Sequence, residues 1–313
     1  MENKIWKLIA DSNRILILTH ERPDGDAVGS SLAMYEALIN MGKQVTIVMQ
    51  NVPKTYQFLS GYSHIKMDTT ESFELALILD CSTKERIGQI SDLTSHCQTT
   101  ICLDHHINNT LYADINLINA NSSSCSQIIY YFLKKHNVSI NKSIAQAITV
   151  GILTDTNGFA NNNVDADTFK LIAELIDQGL DFYAIYSQVL RLKTPAQFAL
   201  SKLATSRLEF FAEGKIAFTY ITKEDFLNTN AQVGDHEGIV DIGRNIINVE
   251  VSVFVREDEG YHVSLRSNGQ IDVNKIAHEF NGGGHTMAAG CIINKSFKET
   301  KELLISEIKK RIG

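Results

Sequence analysis

Residues 15–49 read ILILTHERPDGDAVGSSLAMYEALINMGKQVTIVM. The stretch opens with ILILT (15–19) and closes with VTIVM (45–49), each a short, nearly continuous apolar run. Such runs suit strands covered on both faces, the pattern of a parallel sheet. Between them, AVGSSLAMYEALINMG places apolar residues at 28, 32, 35, 38, 39 and 41, the spacing of a helix face, and Gly42 supplies a stop. Strand, helix and strand in this order form a βαβ unit and predict an α/β first half.

The same pattern continues outward. LALIL (75–79) and TTICL (99–103) are two more buried-strand runs, and helical spacing follows at 122–136, 142–153 and 165–178. From 182 to 211 the pattern stays helical but turns polar around Arg191, Lys193 and Pro195, which predicts a connector. Then the period changes. KIAFTYIT (215–222), VEVSVFVRED (249–258) and YHVSLRSN (261–268) alternate like half-exposed strands, with a hairpin turn expected at 257–260. A helix at 272–280, a glycine run, a strand at 287–293 and a helix at 296–311 complete a smaller α+β domain. The expected division is a catalytic domain over 1–189, a helical linker over 190–212 and a second domain over 213–313.

Composition narrows the function classes. The 313 residues are 44% hydrophobic and 21% charged, as in soluble globular enzymes. No apolar run approaches the ~20 residues of a membrane span. The first residues, MENKIWKLIADSNR, lack the apolar core of a signal peptide. Five cysteines (81, 97, 102, 125 and 291) without C-x-x-C spacing exclude a thiolate zinc site and fit a reducing cytoplasm. The net charge of −7 is unsuited to coating long duplexes, where affinity comes from phosphate neutralisation.

Three of the apolar runs end in ionisable clusters. ILILT leads into His20, Asp24 and Asp26, LALIL into Asp80, and TTICL into Asp104, His105 and His106. Asp155 follows a further apolar stretch, ITVGILT. Ligands of open α/β sheets bind beyond the carboxyl ends of the strands, so these groups should share one crevice. Singly, each has a plainer reading: Asp24 as a helix cap, Asp80 as a loop acid, the histidines as surface residues. Together, so many carboxylates and imidazoles repel and desolvate one another unless a cation joins them. Oxygen and imidazole donors without thiolate suit Mn²⁺ or Mg²⁺, with Fe²⁺ or Co²⁺ as alternatives. Two such ions in one crevice point to phosphoester chemistry. In the second domain, Arg266 offers a fork for phosphate, and Gly282, Gly283 and Gly284 either form a flexible turn or bare their N–H groups to a phosphate or base. No P-loop or dinucleotide glycine motif occurs.

In this order, His20-x-x-Pro23-Asp24-x-Asp26-x-x-Gly29-Ser30, Asp80, Asp104-His105-His106, Asp155, Arg266-Ser267 and Gly282-Gly283-Gly284-His285 resemble the DHH phosphoesterase superfamily with its DHH-associated C-terminal domain. Length and domain content look like the NrnA type, bifunctional oligoribonucleases (nanoRNases) that also dephosphorylate 3′-phosphoadenosine 5′-phosphate, pAp. The resemblance implies a fold in which a mostly parallel-sheet domain and the α+β domain enclose the active site in a cleft. It implies one metal on His20, Asp24 and Asp80, another on Asp26, Asp80, His105 and Asp155, with Asp80 bridging. His106 would face the scissile phosphate, Asp104 would orient an imidazole, and Arg266, Ser267, Gly282–Gly284 and His285 would hold the substrate. Two divalent cations, Mn²⁺ foremost and Mg²⁺ or Co²⁺ otherwise, are the implied cofactors. The implied partners are short oligoribonucleotides and pAp, with no long duplex, no membrane, and a homodimer as an assembly left open. A cyclic di-AMP or pApA phosphodiesterase, a RecJ-like DNA exonuclease and a non-catalytic nucleotide-binding regulator are the alternatives. Asn281 stands where many relatives carry a further glycine.

Overall fold

The computed structural model describes residues 1–232 and 234–312, with only the backbone of His285. Contacts divide the chain into two compact units, Met1–Leu192 and Lys193–Gly313.

The first unit runs α1 (Glu2–Asp11), β1 (Arg14–Leu18), α2 (Gly25–Asn40), β2 (Gln44–Val48), β3 (Ile65–Lys66), β4 (Phe73–Leu79), β5 (Cys97–Asp104), β6 (Ile115–Ile118), α3 (Cys125–Lys135), α4 (Lys142–Asp155), α5 (Ala166–Asp177) and α6 (Phe182–Tyr186). Its sheet is wholly parallel, in the order β3-β2-β1-β4-β5-β6. The apolar strand runs are explained by cover on both faces. Ile15 and Ile17 pack with Leu75, Leu77 and α2–α4 residues, whereas Leu16, Leu18, Ala76 and Ile78 pack with Ile87, Ile90 and Leu93 on the other side. That second cover is a chain of tight turns over Lys84–His96, broken at Gly88, whose φ of 75° no helix contains.

Strand order decides where a ligand can bind. The order reverses between β1 and β4, so the crevice beyond their carboxyl ends is the switch point of a doubly wound sheet. Helix starts there are fixed locally: Asp24 Oδ1 accepts from the N–H groups of Asp26 and Ala27 at the start of α2, and Ser124 caps α3 by accepting from Gln127 N–H. Helices α2 and α4 cross at Gly29 and Gly151. A Cβ on Gly29 would strike the Ala147 carbonyl, and one on Gly151 would strike Ser126 Oγ.

The helical pattern over 182–211 is interrupted. After α6 a π turn spans Ser187–Arg191, Leu192 is extended, and the chain re-enters a helix at α7 (Pro195–Ser206) through a Thr194–Gln197 capping box. Helix α7 buries Leu200 and Ala204 against Ile221, Ile239 and Phe254, and so packs within the second unit. That unit continues with β7 (Glu209–Phe211), β8 (Ile216–Ile221), α8 (Lys223–Thr229), α9 (Ile239–Arg244), β9 (Val251–Glu257), β10 (Tyr261–Ser267), α10 (Val273–His278), β11 (Gly283–His285), β12 (Ala288–Ile293) and α11 (Phe297–Lys309). Its sheet order is β11-β12-β10-β9-β8-β7, antiparallel except for β8 with β9. No helix among the described residues is long and apolar enough to cross a membrane.

Candidate metal centre

Each predicted ligand of the first unit sits at the switch-point end of the sheet or on a helix beside it. His20 follows β1, and Asp24 and Asp26 open α2. Asp80 follows β4, Asp104 ends β5 ahead of His105 and His106, and Asp155 is the last residue of α4. Asp155 thus comes from a helix C-terminus, not from a strand. The helix dipole disfavours a carboxylate at that end, so something else must hold its charge.

Three donor sets assemble, and one of them, Asp80, Asp104, His105 and His106, overlaps the other two. In those two, ligand atoms of His20, Asp24 and Asp80 lie within 4.8 Å of one another, and so do those of Asp26, His105 and Asp155. Asp80 faces both: its Oδ2 lies 3.8 Å from His20 Nε2, and its Oδ1 lies 3.6 Å from His105 Nε2. His105 Nε2 is also 3.8 Å from Asp155 Oδ2 and 4.0 Å from Asp26 Oδ2. These separations are too long for hydrogen bonds. They do suit donors around a shared ion, since ligands about 2.0–2.2 Å from one metal stand roughly 3–4 Å apart.

The electrostatics agree with the spacing. Burial, with Asp26 and Asp24 nearby, pushes the Asp80 carboxyl well above the usual carboxylate range. Burial raises Asp26 too and lifts Asp155 to about 7, against the pull of His105 in both cases. Desolvation lowers His20 to about 4. Desolvation also acts on His105, but the Asp155, Asp26 and Asp104 carboxylates outweigh it and hold this imidazole above its ordinary value. Asp80 Oδ1 is buried with no hydrogen-bond partner. A buried acceptor with no donor, among carboxylates that their surroundings leave short of positive charge, fits divalent cations.

Asp104 behaves differently. Burial alone would raise it, but donors at His106 and Asn109 overcome this and lower its pKa. His106 Nδ1 lies 2.6 Å from Asp104 Oδ1. Because an ionised carboxylate only accepts, Nδ1 carries the proton and the tautomer is set.

Several supporting residues carry no motif signal. The Cys125 and Ser126 N–H groups, at the start of α3, donate to the two Asp26 oxygens at 2.6 and 2.9 Å. Asn163 Nδ2 donates to Asp155 Oδ2 at 3.2 Å and to the Ser123 carbonyl at 2.8 Å, and Asn161 donates to the Asp155 carbonyl. Asn109 joins Asp104 to the loop after β4. Only the capping preference of Ser124 could have been read beforehand; the amides on Asp26 come from a distant stretch of chain, and the asparagine contacts to Asp104 and Asp155 depend on loop geometry that has no period.

In the second unit, Arg266 lies on β10 opposite Ser252 and Ala288, and its Nη1 donates to the Leu265 carbonyl at 3.1 Å. Ser267 is buried, and its Oγ accepts from Gly269 N–H. The glycine run is no loose turn. Gly283 and Gly284 belong to the edge strand β11, and a Cβ on Gly282 or Gly284 would strike β12 backbone, at the Gly290 and Ala288 carbonyls respectively. Asn281 has φ +55°, a left-handed geometry that glycine and asparagine both adopt readily, so its departure from glycine leaves the turn intact. The His285 side chain lies outside the described residues.

Residues 14–152 match the DHH family N-terminal domain, and residues 213–313 match the DHHA1 domain. The chain is 28% identical over 306 residues to the bifunctional oligoribonuclease and PAP phosphatase NrnA of Bacillus subtilis, covering 94% of this chain and 93% of that one. To the protein of the same name from Thermus thermophilus it is 27% identical over 286 residues, covering 89% and 84%. Among solved structures, an exopolyphosphatase-related protein from Bacteroides fragilis superposes with a TM-score of 0.93 at 29% identity, covering 99% of this chain and 95% of that one.

Proposed function

We propose, because this chain belongs to the DHH phosphoesterase family, that it hydrolyses very short oligoribonucleotides to mononucleotides and dephosphorylates pAp to AMP. The observation that carries this reading is Asp80, whose two oxygens face separate ligand sets at one sheet switch point. The relatives' shared name, over most of both chains, supports the substrate class.

In this reading His20, Asp24 and Asp80 hold one divalent cation, and Asp26, Asp80, His105 and Asp155 hold the other, with Mn²⁺ as the preferred ion and Mg²⁺ or Co²⁺ as substitutes. Such a pair lowers the pKa of water and offsets charge on the phosphoryl oxygens. The chain's own residues do the rest. Asp104 fixes His106 so that Nε2 exchanges a proton with the phosphoryl group or its leaving oxygen. The Cys125 and Ser126 amides hold Asp26, and Asn163 holds Asp155, so the carboxylates do not rearrange during turnover. Arg266, Gly282–Gly284 and His285 take the terminal nucleotide and its phosphate, while Ser267, expected beside them, is fully buried and holds the Gly269 turn instead. With a net charge of −7 there is little reason to expect an extended basic track, so the preferred substrates are di- to tetranucleotides. A cytoplasmic enzyme fits the free cysteines.

The test is kcat/KM with Mn²⁺ for pAp, pApA, cyclic di-AMP and RNA of about 2–24 nucleotides, the long end exceeding any one-nucleotide grip. Values should peak at the shortest oligomers, with pAp also turned over. A flat or rising length profile would replace this reading with a RecJ-like exonuclease. Full activity after exhaustive chelation would remove the metal mechanism altogether.

A further inference from the structure

Asn109 lies three residues beyond the Asp104-His105-His106 triplet and joins the ends of two strands. Its Nδ2 donates to Asp104 Oδ2 at 2.7 Å and to the Cys81 carbonyl at 3.2 Å, while its Oδ1 accepts from Leu111 N–H at 2.8 Å. Acceptors face one end of the amide and a donor faces the other, so chemistry fixes its orientation. The other Asp104 oxygen is taken by His106 Nδ1 and by the His105 N–H, leaving Oδ2 to Asn109.

The second contact is as pointed as the first. The Cys81 carbonyl lies one residue past Asp80, a buried non-glycine residue at φ +54°. Backbone in that region costs on the order of 1 kcal/mol or more and persists only where neighbours hold it. Here the Asn109 amide and the Tyr112 hydroxyl both donate to the Cys81 carbonyl, the latter at 3.0 Å, and Thr110 N–H donates to the Ser82 carbonyl at 3.0 Å. The loop after β5 is thereby laced to the loop after β4.

We propose that Asn109 is a positioning residue acting through Asp104: it locks the carboxylate that orients His106 and ties it to the backbone carrying Asp80. It hydrogen-bonds none of the six assigned ligands, His20, Asp24, Asp26, Asp80, His105 and Asp155, so its loss should misalign the reacting groups without emptying the centre. Its kinetic tests rest on the phosphoesterase reading; a spectroscopic one does not.

On the full-length protein with Mn²⁺ and pAp, Asn109→Ala should lower kcat roughly 10–100-fold, the usual cost of losing an outer partner. KM and Mn²⁺ affinity by titration should change by less than about threefold. Asn109→Asp keeps the shape but turns a carboxylate toward Asp104, so it should be worse than alanine; a packing role predicts the reverse order. In an Asp104→Asn background, Asn109→Ala should cost under about threefold, because the group it acts through is already gone. Additive losses, or an aspartate variant more active than the alanine one, would overturn the proposal. Should Asn109→Asp fail to show a cooperative melt, the alanine variant and the double-mutant cycle decide alone. If the wild-type protein turns over neither pAp nor short RNA, the proposed function fails and NMR decides the role of Asn109. The His106 Nδ1–H signal in the Mg²⁺ form, identified by its loss in His106→Ala, should shift in Asn109→Ala. An unchanged signal would overturn the proposal.

Discussion

In the first unit titratable groups are crowded together: the buried His20, Asp26 and Asp80 and the partly exposed His105 and Asp155 share one end of the parallel sheet. The second unit instead isolates His236, whose ring lies 6.1 Å from both Phe226 and Phe254 and whose Nδ1 is buried without a partner. Burial, with neighbouring carboxylates adding to it, raises Asp26, Asp80 and Asp155, whereas burial beside Arg256 and His262 lowers His236 to about 4. The first arrangement is a charge problem that an ion solves; the second is a neutral imidazole used as an aromatic wall. Buried titratable groups therefore mark a functional site when they cluster, and only packing when they stand alone.

That contrast can be broken most severely at its centre. Asp80→Ala removes the one carboxylate that faces both ligand sets, and kcat should fall by about 10⁴ or more, with metal content reduced at both sites. Turnover within tenfold of wild type, measured at saturating Mn²⁺, would mean that Asp80 serves neither ion.

Gly151→Ala attacks the same centre from behind, through packing. A methyl there collides with Ser126 Oγ and approaches Asp26 Oδ1 at 2.6 Å. Overpacking should cost about 1–3 kcal/mol of stability, and Asp26 should be displaced, lowering both the melting temperature and Mn²⁺ affinity. A variant with wild-type melting and metal titration would show that α2 and α4 can separate freely.

Arg266→Ala lies in the second unit and should leave the metals alone. Binding of both pAp and dinucleotides should weaken by roughly 10–100-fold in KM, as expected for one charge-assisted contact made equally in ground and transition states. A loss confined to kcat, or to one substrate, would assign Arg266 another role.

A last test separates the two units by the sign of their pH dependence. In metal-free protein, Asp26, Asp80, Asp155 and His105 hold protons that the unfolded chain has released, so stability falls as pH rises from the ordinary carboxylate range through about 7, with His20 opposing. His236 works the other way. The unfolded chain gains a proton first, so its contribution is full above pH 6.5 and is lost as pH falls toward 4, roughly 3 kcal/mol in all. Trp6, the single tryptophan, reports on the first unit by fluorescence. Its melting in chelator should be higher at pH 5 than at pH 8, and Mn²⁺ should reverse that order. His236→Phe should flatten the acid side for the second unit, followed by circular dichroism. The same pH trend for both units would remove the distinction.

Much of this was legible in the chain itself. Strand runs 15–19, 45–49, 75–79 and 99–103 fell within a residue or two of β1, β2, β4 and β5, because cover on both faces leaves an uninterrupted apolar signature. The ends of those strands also named His20, Asp80 and the Asp104-His105-His106 triplet, since polar groups after a buried run have few other uses. The short strands β3, β6 and β7 escaped notice, being too brief to establish a period, and so did the break in the helix after Ser187.

Local pattern determined which residues are apolar, which are ionisable, and where each strand stops, for these depend on side-chain chemistry and on periods of a few residues. Tertiary structure decided that β1 lies beside β4, that the end of α4 brings Asp155 to the strand ends, and that amides 99 and 100 residues away grip Asp26. It also made the glycine run an edge strand and gave Asn109 and Asn163 their partners. A sequence period reports which face of an element is buried, but not which distant backbone group will meet it. Those pairings exist only once the sheet order is set, and that order minimises the burial cost of the whole unit rather than of any one segment.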